Sequence, residues 1–451
     1  MGNLAGRKCF ELKEALCLGI LLTTISWYYF IQLKISLSYY LILLIINSFL
    51  CLWNMVDING KPYSIKMFVN IFIYFFFILA NAIQYANNSL TLTFHIIFKE
   101  QDYIQFQYIV LILLLLVNGF YSLTLPSSIN YTKTHYNLSV KKMLIVSTTV
   151  TFIILSYYKF NPYLLFARGI TEDIMRENGI VRGHSNTSQS FSLFFNNFIR
   201  PIPWSCFIIS LLYKTRRKIQ ILLFVFTFLT VCPTGIPRNA AAMFWLPILI
   251  LVGRKRMIGL RFLYLMFLGL FIAFPLLGNF RRFSGKIRLN FGLDYLDSMN
   301  FDASQIFMAV MNKNVITMGN QLLGVIFFWV PRSIWPNKPV GSGFFLVTNS
   351  GGGFPNVSMP FFAEGFINFG YIGLLIAAIG IGICAKKLDT RYWQSISTPS
   401  LYQGLYFIAL GATIFIMRGD LMSSFAYTFG ICCSFIFSAK IMGIRSKVMV
   451  A

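Results

Sequence analysis

Apolar runs of about 20 residues, joined by short connections rich in lysine and arginine, recur from one end of this 451-residue chain to the other. About 20 apolar residues is the length of α-helix that crosses the roughly 30 Å hydrocarbon core of a bilayer. Within lipid a chain must satisfy its own backbone N–H and C=O groups, which leaves the helix as the spanning form for such runs. The fold class read from the pattern is all-α, a polytopic membrane protein of about 12 transmembrane helices. The expected spans are roughly 15–33, 35–56, 67–86, 103–125, 142–158, 199–213, 219–235, 239–252, 258–277, 366–385, 399–417 and 420–439. Only 12% of the residues are charged, about half the share of a soluble domain. A soluble enzyme on a single anchor is thereby excluded. Residues 1–451 read as one integral membrane domain, and no small-residue cleavage site follows the first apolar run, so no removable signal is expected.

The net charge of +24 would suggest nucleic acid in a soluble protein. Here the cations sit in the short connections, where they report topology. With the N-terminus inside, the inner connections hold twenty-one lysines and arginines and the short outer ones hold four. That asymmetry predicts cytoplasmic N- and C-termini and no nucleic-acid partner. The eight cysteines show no CxxC spacing, and the two longest polar loops contain none, so neither a zinc site nor a disulfide framework is expected there.

Those two loops, 159–198 and 278–365, fall outside and are too long to be simple connections. Both contain segments suited to short interfacial helices. Thr171 with Glu172 and Asp173 can start one. In "FDASQIFMAVMNKN", Ile306, Phe307, Val310 and Met311 form an apolar stripe. The ten-residue run before Pro331 is too short to span and predicts a helix at the outer interface.

Chemistry-bearing residues are few. No HExxH, GxSxG, Walker or dinucleotide-binding pattern occurs, and the first outer connection, "QLKIS", lacks a paired-carboxylate motif. Asp294 and Asp297 are too ordinary in spacing to argue for a cation, so no metal and no cofactor is expected. Arginine is the telling residue. Arg168, Arg176, Arg182, Arg200, Arg281, Arg282, Arg288 and Arg332 lie in the long loops or at the outer boundary, with Arg238 and Arg418 at outer ends of spans. Topology signalling would place them inside. A guanidinium grips phosphate oxygens through a two-pronged fork, so Arg168, Arg176, Arg182, Arg238, Arg281, Arg282, Arg332 and Arg418, with Lys338, are the candidates for a phosphate-bearing substrate. A structural or headgroup-anchoring role is the alternative for any one of them, and an ion pair with Asp420 is the alternative for Arg418. Glu364, at the mouth of the tenth span, and His184 are candidates for a general base.

"RENGIVRGH" in the first loop, and "FWVPRSIWPNKPVGSG" followed by "AEGFINFGYIG" in the second, carry a resemblance. With the twelve-span plan and two long outer loops, the chain resembles the O-antigen polymerases (Wzy type) of the bacterial inner membrane. Arg168 with Gly179, Arg281 with Gly292 and Arg332 with Gly343 fit the Arg-x10-Gly pattern of some members. The resemblance implies a metal-independent membrane glycosyltransferase similar to the GT-C type. It would join undecaprenyl-pyrophosphate-linked oligosaccharide repeat units into polysaccharide at the periplasmic face. Donor and acceptor would both be lipid-linked, with membrane lipid and a chain-length regulator protein as further partners. An O-antigen ligase and a flippase for the same lipid-linked units remain the alternatives. A flippase would be expected to line its spans with charges and keep its loops short.

Overall fold

The computed structural model describes residues 19, 38–56, 61–89, 97–123, 138–167, 189–253, 261–279, 293–351, 357–396 and 399–444. Among them every regular element is helical. The principal helices are α1 (Tyr39–Met55), α2 (Ile65–Ala86), α3 (Glu100–Ser122), α4 (Val140–Tyr157), α5 (Ile202–Leu212), α6 (Arg217–Thr230), α7 (Arg238–Gly253) and α8 (Arg261–Leu268). They continue as α9 (Ala303–Asn312), α10 (Asn320–Ile326), α11 (Ser342–Asn349), α12 (Phe361–Gln394), α13 (Leu401–Arg418) and α14 (Leu421–Ile441). Six of these, α2, α3, α4, α12, α13 and α14, are long and apolar enough to cross a membrane. Shorter apolar helices follow the expected spans at 35–56, 239–252 and 258–277. Those at 199–213 and 219–235 shrink to the 11 residues of α5 and the 14 of α6. The expected span 15–33 lies outside the described residues apart from Gly19, as does most of loop 159–198.

Helix α2 is the centre of the bundle. Its "IYFFFIL" stretch carries no polar face, and a helix that is apolar all round is stable only when wrapped on all sides. Tyr74, Phe75, Phe76 and Phe77 are accordingly at most 2% exposed. Ile73–Leu79 winds as a π-helix, which inserts an extra residue into the turn. The few polar groups on α2 are all paired. Asn70 and Asn118 of α3 exchange two side-chain hydrogen bonds at 3.0 and 3.1 Å, and Asn81 accepts from Tyr40 and Gln107.

The two ends of α2 are held by different chemistry. At its N-terminus the free backbone N–H groups of Ile65 and Lys66 donate to Asp389 of α12 at 2.8 and 3.3 Å, an anion where helix N–H groups are orphaned. Tyr121 and Tyr406 complete the shell of that carboxylate. At the opposite end Gln84 donates to the Phe301 carbonyl at 3.0 Å and accepts from Ser304, while Asn87 and Ser89 bind Asp297. The second long loop is therefore sewn onto the C-terminal end of α2. Its helix α9 was expected to bury one stripe, but every residue from Ala303 to Val310 is buried. The helix fills the core at this end instead of lying on it.

Helix α12 is broken. Phe369 and Gly370 leave helical geometry, with Gly370 at φ 62°, a conformation only glycine adopts without strain. In an unbroken helix, residues eight apart stand about 12 Å apart along the axis. Here a Cβ on Gly365 would come within 2.7 Å of the Gly373 carbonyl, so the segment Phe361–Asn368 folds back against the start of the longer part. The break frees the Ile367 and Asn368 carbonyls. The loop before α10 takes them up, with Thr317 N donating to Ile367 O at 2.7 Å and Gly319 N to Asn368 O at 3.0 Å. Glu364 therefore rides on a short helix of its own.

Candidate functional site: an acid and arginine cluster at the loop end of the bundle

Four segments meet where the second loop covers the bundle: the N-termini of α9 and α11, the short leg of α12, and the turn between α13 and α14. Glu364 is 2% exposed. Its Oε2 accepts from Ser342 Oγ at 2.7 Å and its Oε1 from the Leu421 backbone N–H at 3.0 Å. Asp420 serves two helix N-termini together. One oxygen accepts from Met422 N at 3.1 Å and Ser423 N at 3.3 Å, and the other from Gly343 N at 3.2 Å. This is the standard use of a carboxylate at an N-cap, doubled. A Cβ on Gly341 would come 2.5 Å from Asp420 Oδ2, so the glycines of "GSG" are what let α11 approach the acids. Burial pushes the Asp420 carboxyl above its ordinary range, against the pull of its backbone donors.

The third acid is Asp302, 2% exposed. It accepts from Ser358 Oγ at 2.6 Å and Ser358 N at 3.3 Å, and it pairs with Arg418 at 3.4 Å. Arg418 also donates to the Met299 carbonyl, and its buried Nε has no hydrogen-bond partner. The sequence alternative for Arg418 was an ion pair with Asp420 two residues away. The structure gives it Asp302 instead, because Asp420 is turned inward to cap α11 and α14. Arg238, at the start of α7, reaches the same turn from the other side, donating to Asn300 Oδ1 at 2.6 Å and to the Tyr295 hydroxyl at 2.8 Å. Two of the candidate arginines thus converge on residues 299–302.

The other candidates fare differently. Arg332 is exposed and donates to the carbonyls of Lys338 and Pro339. Lys338 donates to the carbonyls of Phe328 and Val330, and burial, then Arg332, lowers its pKa. These two cations fasten the "FWVPRSIWPNKP" segment to itself, and that segment exposes Trp329 and Ile334. Arg168, Arg176, Arg182, Arg281, Arg282 and His184 lie outside the described residues. Among the described residues no group of three or more His, Cys, Asp or Glu is placed to hold a metal. Asp297, weighed as half of a cation pair, is engaged by Asn87 and Ser89.

Sequence reasoning did not find Ser342, Ser358 or the site role of Asp302 and Asp420. The glycines flanking Ser342 were a signal that something approaches there closely, but the partner lies 22 residues away in the chain. The cluster is two bonded groups, one joining Arg238, residues 299–302, Arg418 and Ser358 and the other joining Asp420, Glu364 and Ser342 through the backbone N–H groups they share, and the two adjoin through the turn Arg418–Asp420. It offers hydroxyls and carboxylates able to move a proton, beside guanidinium groups able to hold an anion. No family model, curated protein or solved structure matches the chain.

Proposed function

We propose that this chain is a polysaccharide polymerase of the bacterial inner membrane, working at the outer face with both termini cytoplasmic. In this reading a hydroxyl of an incoming lipid-linked repeat unit attacks the anomeric carbon of the growing chain. The new glycosidic bond forms as the bond to undecaprenyl pyrophosphate breaks, and the hydroxyl proton passes to Glu364. Arg238 and Arg418, on their common turn, stabilise the charge that develops on the departing pyrophosphate, a task preorganised cations perform without a metal. The loop arginines Arg168, Arg176, Arg182, Arg281 and Arg282 contribute to the same headgroup, and Arg332 with Lys338 holds the loop beside it.

The observation that carries this reading is the juxtaposition of a hydroxyl-bonded carboxylate (Glu364 with Ser342, 2.7 Å) and two converging arginines at the same end of an apolar helical bundle. A proton acceptor and an anion stabiliser are the two groups the transfer needs. The exposed Trp329 and Ile334 of the adjoining loop suit an interface where a polyprenyl tail stays in lipid and its headgroup does not. Deleting the gene and running the cell's surface polysaccharide on a gel tests the proposal. Loss of the ladder with a single repeat unit retained supports a polymerase. Loss of every repeat would reassign the chain to ligation or flipping.

A further inference from the structure

A second cluster, apart from the one above, surrounds Arg200, where the C-terminal ends of α4 and α6 meet the start of α5. Arg200 is 6% exposed. Its Nε donates to the Thr230 carbonyl at 2.6 Å, the last residue of α6, where a cation is favoured by the free carbonyls of a helix C-terminus. Its Nη1 donates to the Tyr158 hydroxyl at 3.3 Å and to Asn196 Oδ1 at 3.2 Å, and the guanidinium lies 5.3 Å from the centre of the Tyr158 ring. Its Nη2 is buried and has no hydrogen-bond partner. All of these hydrogen-bond acceptors are neutral.

A guanidinium cannot shed its charge at any ordinary pH, and removing a cation from water without a counter-charge is costly. An unmatched buried donor adds to that cost. A fold that merely needed the α6 terminus capped could do so with a neutral donor. The backbone around the group is also unusual. Phe195–Ile199 winds as a π-helix directly before Arg200, and π-turns concentrate at functional sites. Tyr157 stacks on Phe195 with ring centres 4.1 Å apart, giving the cluster a rigid wall.

We infer that Arg200 is the centre of an anion site that takes a phosphate group through the Nη1–Nη2 edge of its guanidinium. One phosphate oxygen takes Nη2, and a second displaces the neutral Asn196 Oδ1 from Nη1, giving the two-pronged geometry arginine makes with phosphate. The half-buried hydroxyl of Tyr158, already on Nη1, is the natural third contact. The site stands whether or not the chain is a polymerase, because it rests on the unmatched charge alone. The phosphate can belong to an anionic lipid headgroup or be free in solution.

The test uses the full-length protein and its thermal unfolding. In neutral detergent, inorganic phosphate is compared with sodium chloride at equal ionic strength. In nanodiscs, phosphatidylglycerol is compared with phosphatidylcholine. The key variant is Asn196→Asp, which supplies an internal carboxylate at the position the phosphate would take. Wild type should gain about 2 °C or more with phosphate or with phosphatidylglycerol. Asn196→Asp should unfold at a higher temperature than wild type without added anion and lose that gain. A gain in detergent identifies free phosphate as sufficient, and a gain only in nanodiscs identifies the headgroup. No gain in either setting, or a gain that Asn196→Asp retains in full, overturns the site.

Discussion

Replacing Glu364 by glutamine separates a structural carboxylate from a chemical one. The side chain keeps its shape, one oxygen still accepts from the Leu421 N–H, and the Ser342 hydroxyl, 2.7 Å away, can turn to accept from the new amide. What is lost is the charge-assisted part of those bonds, about 1–2 kcal/mol, a fall in Tm of only a few degrees for a chain of this size. Glu364→Ala is different. It strands a buried hydroxyl and a buried N–H, at about 1–3 kcal/mol each, and should lower the amount of folded protein. A general base contributes roughly 10²–10⁴ in rate, so Glu364→Gln should cut chain extension at least about a hundredfold while thermal unfolding barely moves. Unfolding can be followed with a maleimide dye once Cys384, Cys432 and Cys433, which are exposed or half-buried, are replaced by serine, because Cys51, Cys206 and Cys232 are buried until the fold opens. Glu364→Gln protein that extends chains at the wild-type rate would refute the role, and the base would be sought at His184.

Arg418→Ala leaves Asp302 with Ser358 alone and should destabilise by about 1–3 kcal/mol, measured as a drop in Tm; Arg418→Lys should recover stability better than polymer yield, since it restores charge without the fork. Asp420 is held above its ordinary value of 3.8 by burial, so the folded state binds its proton more tightly than the unfolded chain does. Its stabilising contribution is therefore complete below that value and fades as pH rises through the folded pKa. Asp420→Asn should show a Tm that declines less than wild type as pH rises above the ordinary aspartate value, and parallel curves would contradict the assignment. Phosphatase fusions near Ser188 and Asn349 should be active and β-galactosidase fusions there silent, as the bias of the short connections requires.

Much of the architecture is legible in the apolar runs, because length and hydropathy alone decide whether a segment can span. Helices α3 and α14, at Glu100–Ser122 and Leu421–Ile441, sit within a few residues of the ends expected for them. The start of α12 was not legible. Nothing in "FINFGYIG" says that Gly370 leaves the helix; the loop at 317–319 decides it by claiming the freed carbonyls. The site divides in the same way. That acids and arginines outside the membrane deserved weight could be read from how few charges the chain carries. That Arg418 would meet Asp302, 116 residues away, and that Asp420 would turn inward to cap two helices, depends on folding the second loop into the end of the bundle. Lys338 shows the converse. Its place in a basic, tryptophan-rich segment suggested a substrate contact, and its ammonium group is occupied by two carbonyls of its own loop.

The most direct test is reconstitution of the purified protein in liposomes with a defined undecaprenyl-pyrophosphate-linked repeat unit as both donor and acceptor. The proposal predicts a ladder of lipid-linked products growing by whole repeats, with release of undecaprenyl pyrophosphate, undiminished by EDTA and lost in Glu364→Gln. Unchanged substrate with wild-type protein, or movement of the intact unit across the bilayer without elongation, would contradict it.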